Sequence, residues 1–212
     1  MHPRLAYFLS VIFHPLLMPT WLIGLLLFIA PARLNVDTYS PDLRVSLLVL
    51  VFIGTFAVPS LLIYYLYRSG VLTDLTMPDR TDRRLPYLLS GIVYLVVTYL
   101  FAFRMSLFSE TSPEVAIILG SITLSILLVG LINTVWKISA HAVGIGGVLG
   151  TVMLMLAKHG DTELFVPFVI LIALSGLLAT ARLQLNAHTL GQVSAGLGLG
   201  VLVSGLAVFW LV

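Results

Sequence analysis

Seven long apolar stretches divide this chain, and all nine acidic residues fall between them. The stretches run at about 7–30, 45–67, 85–103, 115–136, 141–157, 164–181 and 190–212. Crossing the hydrocarbon core of a bilayer takes about 20 mainly apolar residues of helix. A carboxylate is costly inside that core. Asp37, Asp42, Asp74, Asp79, Asp82, Glu110, Glu114, Asp161 and Glu163 therefore mark the same boundaries as the apolar runs. Lipid offers the backbone no hydrogen-bond partners, so helices are the expected form. A membrane barrel would show alternation along short strands, and none occurs. Only 9% of the residues are charged, against roughly 25% in soluble domains, too few to cover a water-facing surface. The fold implied is all-α, a polytopic membrane bundle of six to seven transmembrane helices forming a single domain over 1–212.

The first stretch carries His14-Pro15 and Pro19. Proline removes a helical hydrogen bond and clashes with the preceding turn, so this segment is expected to be kinked or re-entrant. Its long apolar run after Arg4 lacks the short core and small-residue cleavage site of a signal peptide, and it reads as a retained span. There are no cysteines, which excludes disulfides and thiolate metal sites. Gly146 and Gly150 follow His141, and Gly196 and Gly200 follow His188. Small residues four apart let membrane helices approach closely, which here would draw together the ends carrying the two histidines.

Seven spans put alternate loops on one side. That side gathers Arg4, Arg68, Arg80, Arg83, Arg84, Lys137 and Arg182, leaving Arg33, Arg44, Arg104 and Lys158 on the other. His141 and His188 lie on the richer side, where three segments converge: "MPDRTDRRLPY", "WKISAHAVG" and "ARLQLNAHTLGQ". The cations are local rather than spread as a nucleic-acid face. Clustered Arg and Lys supply forked and point-charge donors for phosphate. Two histidines suit nucleophile and general acid, because imidazole titrates near neutrality. The Ser139 hydroxyl adds a donor. His188 and Gln192 are four apart and would share a helix face. The amide then holds one ring nitrogen and exposes the other. Whether it offers its oxygen or its nitrogen to the ring stays open.

At these residues the sequence resembles the type-2 phosphatidic acid phosphatase superfamily, membrane lipid phosphatases related to vanadium haloperoxidases. That family carries Lys, six residues, Arg-Pro; then Pro-Ser-Gly-His; then Ser-Arg, five residues, His, three residues, Asp. Here the third motif reads Ala181-Arg182, five residues, His188, three residues, Gln192. The second reads Ile138-Ser139-Ala140-His141. The first is degenerate: Arg80, Arg83 and Arg84 precede Leu85-Pro86 with no Lys at the family distance. The resemblance covers about residues 76–200. It implies that His188 attacks phosphorus to form a phosphohistidine, and that His141 protonates the leaving alkoxide and then helps activate water. It further implies that Arg182, Ser139 and one or two of Arg80, Arg83 and Arg84 hold the phosphoryl oxygens. Lys137 stands beside them without a motif requiring it. Gln192 occupies the place of the family's carboxylate, which would hold the nucleophilic imidazole.

The expected activity is therefore a metal-independent phosphatase for a lipid phosphate or diphosphate, without cofactor, in a bacterial inner membrane. Phosphatidic acid, phosphatidylglycerol phosphate and polyprenyl diphosphate are all open as substrates. Membrane lipids are the expected surroundings; the sequence names no protein partner and no nucleic acid. The alternative is a weak or inactive lipid-phosphate binder, or an assembly subunit, that keeps the pocket; Gln192 and the degenerate first motif motivate it. A haem held by paired histidines is a third reading, with His14 and either His141 or His188 as the only set. Proton-coupled transport is disfavoured by the lack of acidic residues within the spans. Basic residues favour the cytoplasmic side seven to four. Setting aside Arg80, Arg83, Lys137 and Arg182 as ligands leaves three against four, so the side of the site stays open.

Overall fold

The computed structural model describes residues 1–77, 79–105, 112–160 and 162–211. Glu110, Asp161 and the final residue of the seventh stretch lie outside them. Seven segments are helices long and apolar enough to cross a membrane, and the described residues contain no strand. The first crossing is two helices, α1 (Pro3–Ile12) and α2 (Met18–Ile29). The second is α3 (Pro41–Phe52) and α4 (Val58–Arg68), joined by a wide π turn, Ile53–Ala57. That turn ends two residues before Pro59, whose missing N–H disturbs the regular helical ladder. The third is α5 (Arg84–Tyr99), running into a second π turn, Leu100–Arg104. The rest are α6 (Pro113–Asn133), α7 (Ala140–His159), α8 (Thr162–Gln184) and α9 (Leu190–Leu211).

The first crossing is broken where His14 precedes Pro15. His14 is extended, with φ −60° and ψ 136°, because the ring of a following proline disfavours the helical region. The short 3-10 turn Pro15–Leu17 then restarts the chain as α2. The break sends the two halves to different neighbours: α1 packs on α8, whereas α2 packs on α3 and α7. Wholly buried Leu22, Leu26, Leu47, Ile118 and Ile145 build the core between α2, α3, α6 and α7. Large apolar side chains such as Leu61, Phe103 and Trp210 face outward, as a lipid-facing surface requires.

The glycine pairs form the closest contact of the bundle. A Cβ on Gly150 would lie 2.6 Å from the carbonyl oxygen of Val201 on α9. One on Gly196 would lie 2.7 Å from the carbonyl oxygen of Ser139. Gly146 and Gly200 leave less room still. Real side chains do not approach so closely, so α7 and α9 run backbone against backbone. Ser139 caps α7, its hydroxyl oxygen accepting the Ala142 N–H at 3.4 Å. The Ser139 N–H donates to the Gln192 carbonyl at 3.3 Å. Two helix starts, one bearing His141 and the other preceded by His188, are thereby joined.

Candidate functional site

The segment between α8 and α9 is built from two helix caps in succession. At the end of α8 the Ala187 N–H bonds the Arg182 carbonyl at 3.1 Å, and the Asn186 N–H bonds the Leu183 carbonyl at 3.0 Å. Asn186 itself is left-handed, with φ 50°. This is a Schellman ending, with asparagine where glycine is commoner. Three residues after Asn186, Thr189 caps the start of α9. Its N–H donates to the Gln192 side-chain oxygen at 3.2 Å, and the Gln192 N–H donates to the Thr189 hydroxyl at 3.4 Å. That reciprocal pair is a capping box.

The capping box decides the chemistry of His188. The same Gln192 Oε1 lies 3.1 Å from His188 Nδ1. A backbone N–H only donates, so the atom facing Thr189 must be the amide oxygen. The oxygen then accepts from His188, which must carry its proton on Nδ1 and leave Nε2 bare. The open question of amide orientation is closed by a main-chain hydrogen. His188 stands ahead of α9 rather than on it. The shared helix face expected from the spacing is therefore replaced by a cap reaching back to the ring.

His141 is fixed in the opposite sense. Its Nε2 lies 3.0 Å from the carbonyl oxygen of Ser10 on α1. A carbonyl only accepts, so Nε2 holds the proton and Nδ1 is the nitrogen left unheld. Ser10 also receives Arg182: Nη1 donates to its hydroxyl at 3.0 Å. That hydroxyl in turn donates to the Ala6 carbonyl at 2.9 Å. Arg182 Nε is buried with no partner among the described residues, so the guanidinium keeps unused donor capacity.

His188, His141, Arg182 and Arg83 line one cavity of about 490 Å³. Arg83 is braced there by its Nε donating to the Met77 carbonyl at 2.8 Å. The other expected residues lie elsewhere. Ser139 is wholly buried at its cap and off the cavity wall. Arg80 is half-buried, its carbonyl accepting from Asn133 at 2.9 Å, and Arg84 is exposed at the start of α5. Neither side chain lines the cavity. Lys137 is half-buried behind the wall and electrostatically coupled to Arg83, Arg182 and Asp79. Burial, then the two guanidinium groups, lower its pKa, and Asp79 opposes them. Gln192 acts one step back, through His188.

Sequence reasoning brought the first span to these histidines only in the haem reading, through His14, and not to the phosphate site. Ser10 and His14 both line the cavity, and the His14 and His141 rings meet edge-on with centroids 5.7 Å apart. The His-Pro break was the available signal, because it turns a polar side chain inward at mid-span. The cavity wall also includes Tyr7 and Val11 of α1 and Tyr64 of α4, which are exposed on the flank of the bundle. Leu75 and Thr76 of the loop after α4 are exposed and line it as well, so the cavity reaches the surface along α1, α4 and that loop. No group of three or more metal-ligating side chains occurs among the described residues.

Burial lowers the His188 pKa from 6.5 to about 4; the Gln192 bond opposes this, and Arg83, Arg182 and Lys137 reinforce it. The ring is thus neutral at physiological pH, with its Nε2 lone pair available. On acidification from about pH 7 to about pH 5, its ring nitrogen shifts should remain those of the neutral Nδ1–H form. A midpoint near 6.5 in a ¹⁵N titration would contradict this environment. The unfolded chain takes up this proton first as pH falls. The ring's contribution to stability is therefore full above 6.5 and declines towards about 4.

Neither family models, curated proteins nor solved structures match this chain.

Proposed function

We propose that the protein is a membrane phosphatase for lipid phosphates or diphosphates, working through a phosphohistidine. One observation carries this reading. His188, whose Nε2 is bare, lines a cavity that also holds Arg83 and Arg182 and whose wall includes exposed residues of α1 and α4. A headgroup reaching that cavity from the bilayer would meet fixed positive charge where phosphoryl transfer spreads negative charge over its oxygens. His188 Nε2 attacks phosphorus, and the bond from phosphorus to the lipid oxygen breaks. The negative charge of the bound phosphate would let His141 take a second proton on Nδ1, and the leaving alkoxide takes that proton, because Nε2–H stays on the Ser10 carbonyl. Neutral Nδ1 then takes a proton from the water that attacks the phosphohistidine, releasing phosphate. Arg182 and Arg83 hold the phosphoryl oxygens, as cations would in place of a metal.

The decisive measurement is phosphate release by purified protein from phosphatidic acid, phosphatidylglycerol phosphate and a polyprenyl diphosphate, with and without chelator. Turnover of at least one, unaffected by chelator and blocked by vanadate, is expected. The uncharged Gln192 favours a second reading, a lipid-phosphate binder without turnover. Tight headgroup binding with no release from any of the three lipids would select it.

A further inference from the structure

His-Pro occurs twice near the start of the chain, as His2-Pro3 and His14-Pro15. The two histidines make the same local bond. His2 Nδ1 accepts the Arg4 N–H at 3.2 Å, and His14 Nδ1 accepts the Leu16 N–H at 3.3 Å. Both rings therefore carry their proton on Nε2. Their surroundings differ. His2 is exposed, whereas His14 lines the cavity beside His141. A cap needs one acceptor atom, which Asn, Asp or Ser supplies better than His. Capping alone gives no reason for an imidazole within the membrane. Its second nitrogen does: Nε2–H is a donor in a cavity already furnished with Arg182, Arg83 and the bare nitrogen of His188.

We infer that His14 is an oxyanion-binding residue, its Nε2–H donating to an oxygen of the tetrahedral phosphoryl group. The inference rests on the phosphatase reading of the cavity. A neutral N–H adds a donor without adding a third charge to two guanidinium groups. It also comes from a third segment, the first span, whereas Arg83 precedes α5 and Arg182 lies on α8. Tetrahedral oxygens could then be met from more than one side.

The test uses orthovanadate as the probe, with the full chain in lipid nanodiscs. His14→Asn keeps an acceptor where Nδ1 was and has no atom at the Nε2 position. His2→Asn makes the identical cap exchange away from the cavity. Vanadate affinity should fall about tenfold or more in His14→Asn, the scale of one hydrogen bond to a charged group, and should not change in His2→Asn. In wild type labelled with ¹⁵N-histidine, vanadate should move the His14 Nε2 resonance. Equal vanadate affinity in His14→Asn and wild type overturns the assignment. So does an unmoved His14 resonance at saturating vanadate, whatever the variant's folding. Failure of vanadate to bind wild type at all overturns the cavity reading with it.

Discussion

Phosphate release should fall by at least about 10³-fold in His188→Ala, with helicity retained by circular dichroism. The variant removes the Nε2 lone pair that the Gln192 contact leaves bare on a ring lining the cavity. Loss of a nucleophile is not made up by neighbours, so residual activity would come from binding alone. A companion pair of variants isolates Gln192. Glu also closes a capping box, so Gln192→Glu keeps the Thr189 cap and the His188 contact while adding a negative charge. That charge should raise the His188 pKa from its depressed value and stabilise the imidazolium that develops during attack. Turnover should rise by about tenfold or more. Gln192→Asp is shorter by one methylene and should do less, because one oxygen cannot reach both donors. The same phosphate-release panel reads all three. Wild-type rates in His188→Ala would end the phosphohistidine mechanism.

Gly196→Ala should lower stability by about 1–3 kcal/mol, the usual scale of overpacking, and depress activity further than the stability loss explains. The new methyl would stand 2.7 Å from the Ser139 carbonyl. A backbone oxygen cannot rotate aside as a side chain can, so α7 and α9 must separate. Separation strains the Ser139–Gln192 backbone bond, which joins the segments bearing His141 and His188. Thermal melting in detergent measures the first effect. Turnover well below the melting transition measures the second. An alanine variant with wild-type melting and wild-type rate would show that the helices have room this geometry denies them.

Sequence periodicity and charge placement made the membrane bundle legible, because the bilayer imposes length and polarity on every span. The glycine pairs after His141 and His188 pointed to close packing for the same local reason. The site was less legible. Arg80, Arg83 and Arg84 are near neighbours in the chain, yet among them only Arg83, at the end of a single 3-10 turn (Thr81–Arg83) before α5, lines the cavity. Ser139 matched a motif, but its hydroxyl oxygen sits at the α7 cap. Gln192 looked like a missing carboxylate, although Thr189 three residues earlier was the sign of a capping box. Ser10 and His14 lie more than a hundred residues from His141 and His188 in the chain. Only tertiary packing of the broken first span brings them in.

The two bonds to Ser10 bear on what any ligand must do. Arg182 reaches its hydroxyl and His141 its carbonyl, so one residue of α1 holds both side chains. The cavity at rest is thus not a bare cationic hole in a hydrocarbon medium. An anion that took the Arg182 Nη1 donor would displace the Ser10 hydroxyl, and its apparent affinity would be the difference between the two bonds. On the phosphatase reading, discrimination for charge would then depend partly on the first helix, which holds Arg182 through Ser10.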